Sequence, residues 1–210
     1  MSAKSKVALP DWPPGWPARW HTLRFRLLGL LPLIFFLSRF IHYFRVGTPS
    51  HIQWSCHISN LVLAIGMFFA NPLLIRVATF WLILGLFPWI GDMIFTGIVT
   101  PVSVFSHLGG FLLSLVAIRE VRAKNRSWVP ALLFFLVLQQ ISRLTTPADL
   151  NVNIAHHAYG PWKDLFDSYW KYWLAGTALT VMTLWLTEVV LLRLFPHQSK
   201  TDHRSQVPDL

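Results

Sequence analysis

Charge and cysteine are what this chain has least of. Only 13% of its 210 residues are charged, against about 25% in soluble domains, and its mean hydropathy is +0.48. An ordinary soluble domain is thereby excluded. A single cysteine, Cys56, excludes an intrachain disulfide. No Cys-x-x-Cys, His-Glu-x-x-His or repeated carboxylate–His pair occurs, so the familiar metal spacings are missing. There is no long Lys/Arg run and no recognition helix. The net charge of +9 therefore does not point to nucleic acid, because the basic residues flank apolar runs and report membrane orientation. The first apolar run lacks an Ala-x-Ala exit and outlasts a signal-peptide core, so it reads as a retained span.

Aromatics and long apolar runs are abundant. Sixteen Phe, eleven Trp and four Tyr suit a chain anchored at lipid interfaces. A hydrocarbon core of ~30 Å needs about 20 helical residues. Six segments approach that length, at 23–44, 53–70, 72–90, 102–119, 128–146 and 172–195. The expected fold is all-α: a polytopic membrane protein with a six-transmembrane-helix bundle. Threaded this way, only Arg39, Arg45, Arg143, Lys163 and Lys171 of the 18 basic residues fall on one side. The positive-inside rule then puts both termini in the cytoplasm, and the asymmetry fits a bacterial inner membrane. Residues 1–22, with DWPPGWPARW, read as a cytoplasmic interfacial segment. Residues 23–195 form the membrane domain, and 196–210 a disordered tail.

Polar residues inside the apolar segments mark a site, since polar groups in hydrocarbon are costly. Cys56, His57 and Asn60 open the second segment, His107 opens the fourth, and Gln139, Gln140 and Arg143 close the fifth. With a rise of ~1.5 Å per residue they share one depth, about 5–10 Å below the outer face. Cys56 and Asn60 share a helix face, as do Gln139 and Arg143. Gly109-Gly110 after His107 allows a close helix approach. Asp92 and His42 lie toward the same side. The long outer connection 147–171 reads PADLNVNIAHHAYGPWKDLFDSYWK. It offers Asn151, Asn153, His156 and His157 as a lid over the cluster, and WKDLFDSYWKYW suggests an amphipathic surface helix. Glu188 lies deep in the sixth segment, as an internal partner or a proton relay.

These residues support more than one chemistry. A thiol nucleophile needs a base and an orienting group. Adjacent helix positions diverge by about 100°, which favours His107 over His57 as the base for Cys56. His57, Asn60, Gln139, Arg143, Asn151 and His157 would bind substrate, stabilise an oxyanion or hold an acyl carboxylate or phosphate. A buried lone Cys is also often an inert small hydrophobe. His57 and His107 at equal depth admit a haem or metal reading, but the spacings predict no resident metal and no cofactor. Transport is a third class, weakened by the lack of an inverted repeat. Membrane lipids are the expected partners, and a lipid-, quinone- or haem-binding subunit of a membrane complex is the non-enzymatic alternative.

The order of these residues resembles the YwaF-like integral membrane family. The resemblance rests on Cys56-His57 opening the second segment, His107 in the fourth, and NVNIAHHAYGPWKDLFDSYWKYW before the last. That family is related to eukaryotic transmembrane acyltransferases acting on phospholipids through a Cys and a His. The resemblance implies Cys56 as nucleophile and His107 as base. Asn151 or Asn153 and Gly160-Pro161-Trp162 would match the family's late segment. Two positions depart from the pattern: Trp54 stands where the family has a His, and the Tyr after the late Asn is missing. The implied function is lipid acyl transfer or hydrolysis.

Overall fold

The computed structural model describes residues 23–160 and 162–196. The Trp/Pro-rich segment 1–22 and the tail beyond Pro196 lie outside the described residues. Among the described residues every element is helical. These are α1 Leu23–Leu28, α2 Leu30–Arg45, α3 Ser55–Phe68, α4 Pro72–Leu84, α5 Leu86–Thr96, α6 Pro101–Val104, α7 Gly110–Val121, α8 Trp128–Thr145, α9 Trp162–Leu165 and α10 Tyr169–Leu194. Five stretches are long and apolar enough to cross a membrane: Leu23–Arg45, Pro72–Thr96, Pro101–Val121, Trp128–Thr145 and Tyr169–Leu194. The remaining expected segment, α3, has 14 residues and is about 21 Å long, short of a ~30 Å core.

Local chemistry explains the boundaries. Asn71 accepts hydrogen bonds from Leu73 N and Leu74 N while Pro72 takes the first helical position, so α4 starts there. Gly97, at φ +66°, ends α5 in the left-handed conformation. The second crossing stretch, expected over 72–90, thus runs to Thr96, because the expected boundary had no stop signal behind it. The amphipathic helix expected over 162–173 is absent as one unit. A single turn, α9, is followed by Ser168, whose Oγ accepts from Trp170 N at 3.2 Å and starts α10 at Tyr169. A good N-cap inside the pattern outweighs its amphipathicity.

Helix α4 is the axis of the bundle. Residues Ile75 to Leu82 are all buried, as expected of a helix apolar on every face. Half of the best apolar window in Pro72–Thr96 is buried, against 17% in the first and last crossing stretches. One core joins α3, α4 and α7 through Leu63, Met67, Ile75, Ala78, Leu82, Ala117 and Ile118. A second joins α4, α8 and α10 through Phe80, Trp81, Ala131, Leu184 and Leu191. Outside, Phe40, Phe44, Leu133, Val137, Trp185 and Val190 are exposed, the surface a lipid-facing bundle presents.

Buried polar groups tie the helices together. Trp81 Nε1 donates to Ala131 O at 2.8 Å. Arg76 donates to Arg122 O and Val121 O at 2.9 and 3.0 Å, closing the end of α7. Glu188 on α10 accepts from Arg126 N at 2.9 Å and from Trp128 N at 3.0 Å. It caps the start of α8 from another helix, where a carboxylate also meets the positive helix end. This capping accounts for the acid that the sequence left between an internal partner and a proton relay. Glu188→Ala should lower stability by about 1–3 kcal/mol through its orphaned amides, and Glu188→Gln by less. Thermal unfolding in detergent checks this, and an unchanged Glu188→Ala midpoint would remove the capping role.

Candidate functional site

Cys56 and His57 occupy the first turn of α3, and their side chains meet those of the neighbouring helices. Cys56 Sγ lies 3.8 Å from His57 Nδ1. One donor atom each from Cys56, His57 and His107 lies within 4.8 Å of the other two. The expectation that His57 is poorly aimed at Cys56 is therefore corrected. Nδ1 is the ring nitrogen nearest the backbone, so the imidazole folds back onto its neighbour despite the angle between the two residues. Room for the thiol comes from Gly85, where a Cβ would fall 2.7 Å from Cys56 Cβ. Both histidines are buried, and Cys56 is partly exposed.

His107 is placed by an irregular turn. Residues Phe105–Gly109 form one π-helical turn between α6 and α7, a distortion frequent at functional sites. The His107 Nδ1–H donates to Ser103 O at 2.9 Å, which leaves Nε2 as its acceptor. Trp89 lies parallel to the ring, centroid to centroid 5.0 Å, and its Nε1 donates to Ser103 Oγ at 2.7 Å. His57 meets the same ring edge-on at 5.3 Å. No macrocycle plane fits between two rings in such contact, so the haem reading loses its geometry.

Behind His57 stands a cation that the sequence pattern had marked only as a charge. Arg39 is 8% exposed and forms no ion pair among the described residues. Asp92, the acid expected on this side, is exposed. Arg39 Nη2 donates to Tyr43 Oη and faces His57 Nε2 at 3.5 Å, while its guanidinium covers the Tyr43 ring at 4.5 Å. Tyr43 Oη is 3.1 Å from His57 Nε2. Arginine has only donors, so the consistent assignment lets His57 Nε2 accept and puts its proton on Nδ1, toward Cys56. Both histidines then carry their proton on Nδ1, so His57 offers a donor toward the sulfur while His107 keeps Nε2 as a free acceptor.

Asn60 cross-links the floor of the site. Its Nδ2 donates to Cys56 O and to Ser106 O, each at 3.1 Å, and its buried Oδ1 has no partner among the described residues. Gly110 gives this amide its space, since any side chain there would strike Oδ1. Gln139, Arg143, Asn151 and His157 belong to a second group around the loop. Gln139 donates to Asn153 O at 3.1 Å and accepts from Trp173 Nε1 at 2.7 Å. Arg143 lies over the rings of Tyr169 and Trp170. Asn151 Oδ1 accepts from His156 N and His157 N, so its side chain shapes the loop.

The two groups are joined by Asn153. Its Oδ1 accepts from Ser55 N at 2.9 Å, capping α3 from 98 residues away. Its Nδ2 donates to Gln53 O and Ser142 Oγ at 2.8 and 2.9 Å. The loop thus packs down on the first residue of α3, one position before Cys56. A cleft of about 280 Å³ opens on its other side, lined by Phe135, Gln139, Asn153, Ile154, Trp162 and Trp173 among others.

Sequence reasoning missed Arg39, Tyr43 and Trp89. Arg39 and Tyr43 lie one turn apart near the end of α2, so the depth rule applied to the first segment would have found them. No family model, curated protein or solved structure matches the chain.

One titration follows from geometry outside the spans. Burial, and then the nearby Arg39 charge, pull the His51 pKa below its ordinary value of 6.5. The neutral form is the one the fold favours. Stability from this group is complete above about pH 6.5 and is lost as pH falls through the lower folded value. His51→Gln should flatten the decline in melting temperature between neutral and mildly acidic buffer, and an unchanged slope would overturn this.

Proposed function

We propose that this chain is an integral membrane enzyme of lipid acyl transfer or hydrolysis, with Cys56 as nucleophile and His107 as general base. One observation carries the reading: the only cysteine meets two buried histidines, one turning a donor toward it and the other keeping a free acceptor, with a buried arginine behind them that has no ion pair among the described residues. The charge pattern supports six passes with both termini in the cytoplasm of a bacterial inner membrane. The resemblance to the YwaF-like family favours the same pair of residues.

The chemistry is conventional thiol catalysis. Cys56 S–H gives its proton to His107 Nε2. The thiolate accepts a hydrogen bond from His57 Nδ1–H, and Arg39 balances its charge through Tyr43 and His57. Sulfur attacks the acyl carbonyl carbon, and the carbon–oxygen ester bond breaks. The leaving alkoxide takes the His107 proton. Water or an acceptor hydroxyl, deprotonated by His107, then attacks the thioester and returns the sulfur. Asn60 supports the backbone beneath the nucleophile. Gln139 and Asn153 border an apolar cleft across the loop from Cys56, suited to an acyl chain, and Arg143 and Asn151, with the His157 backbone, hold that loop in shape.

An activated acyl probe should label the wild-type chain and leave Cys56→Ala unlabelled. His107→Gln should slow labelling by about 10²-fold or more, with its melting temperature retained as the control for folding. Labelling that survives Cys56→Ala sinks the mechanism.

A further inference from the structure

We propose that Cys56, His57 and His107 also bind a borderline-soft divalent metal of the Zn²⁺ type, and that its occupancy masks the thiol. The masking rests on the acyl-transfer reading; the metal site itself does not. Three donor atoms of the types zinc prefers converge within 4.8 Å of one another. Bonds of about 2.3 Å to sulfur and 2.0–2.1 Å to nitrogen place tetrahedral ligand atoms roughly 3.5 Å apart. The observed 3.8 Å from Cys56 Sγ to His57 Nδ1 is a few tenths beyond that. Three protein ligands leave a fourth position for water or substrate, the pattern of an open zinc site.

The surroundings match as well as the donors. Metal-bound imidazoles hold their other nitrogen against an oxygen, which fixes their orientation. His107 Nδ1 has Ser103 O, and His57 Nε2 has Tyr43 Oη. His107 is further pinned against Trp89. The Tyr43 hydroxyl supplies the adjustment that ligation requires. It donates to Nε2 while His57 carries its proton on Nδ1, and accepts from Nε2–H once Nδ1 turns its lone pair to the metal. Cys56 S–H loses its proton to solvent as the sulfur–metal bond forms, so binding releases one proton. Arg39 opposes the metal, being a cation 3.5 Å from His57 Nε2. The same residue therefore acts with opposite sign on the two activities: it supports the thiolate and weakens the metal.

Cobalt titration of the reduced, chelator-treated full chain in detergent tests this directly. One Co²⁺ per chain should give a near-ultraviolet thiolate-to-cobalt band, removed by added Zn²⁺ and absent in Cys56→Ala. His107→Gln should weaken Co²⁺ binding about tenfold or more. Arg39→Gln should tighten it severalfold while slowing acyl-probe labelling. Zn²⁺ should block labelling of the wild type, and chelation should restore it. Failure of the band at saturating Co²⁺, or its survival in Cys56→Ala, overturns the metal site. A cobalt band with no acyl labelling would leave the metal site standing and remove the acyl-transfer reading. Labelling without the band would do the reverse.

Discussion

A polar atom inside an apolar bundle has no water to turn to and must be satisfied by the chain itself. Much of this structure follows from that constraint. Glu188 is spent on two amides at the start of α8, Arg76 on the last carbonyls of α7, and Asn153 on Ser55, Gln53 and Ser142. All but the Asn153–Ser142 bond join segments far apart in sequence, so the polar groups act as the register marks of the packing. Apolar faces alone, interchangeable with lipid, would not specify which helix meets which.

Against this background the group around Cys56 stands out by what it leaves unsatisfied. Among the described residues, Arg39 Nε and Asn60 Oδ1 are buried without partners, and Arg39 has no counter-ion. The charge is relayed along a short path, from Arg39 through the Tyr43 hydroxyl to His57 and so to the sulfur. A cation held near a thiol, with a hydroxyl able to give or accept a hydrogen, sets up two stable arrangements of protons from one set of atoms.

The helical segments were legible because long apolar runs leave little choice, and the end of the bundle carrying the site was legible because depth follows from helix rise. Cys56, His57, Asn60 and His107 gather as the depth rule implied. Gln139 and Arg143 do not join them, because the loop residue Asn153 comes between, and a loop's path is not written in periodicity. The relation of His57 to Cys56 was misjudged for a different reason. Helical angles describe Cβ directions, while a ring nitrogen reaches as its torsions allow. Arg39 was visible as a charge but not as a buried one, since burial depends on which helix lies across from it. The break at Ser168 was readable in principle, as a hydroxyl residue capping the long helix that follows.

The π turn at Phe105–Gly109 sets the phase of a whole helix. It adds one residue to a regular turn, and one residue is worth about 100° of rotation. The turn itself carries His107 to the thiol, and the stretch after it aims Ala117, Ile118 and Val121 at the core. A uniform helix would satisfy one of these demands by failing the other. The wide turn works as a phase shifter, letting the interior of the bundle be refined for packing without turning the histidine away from the sulfur.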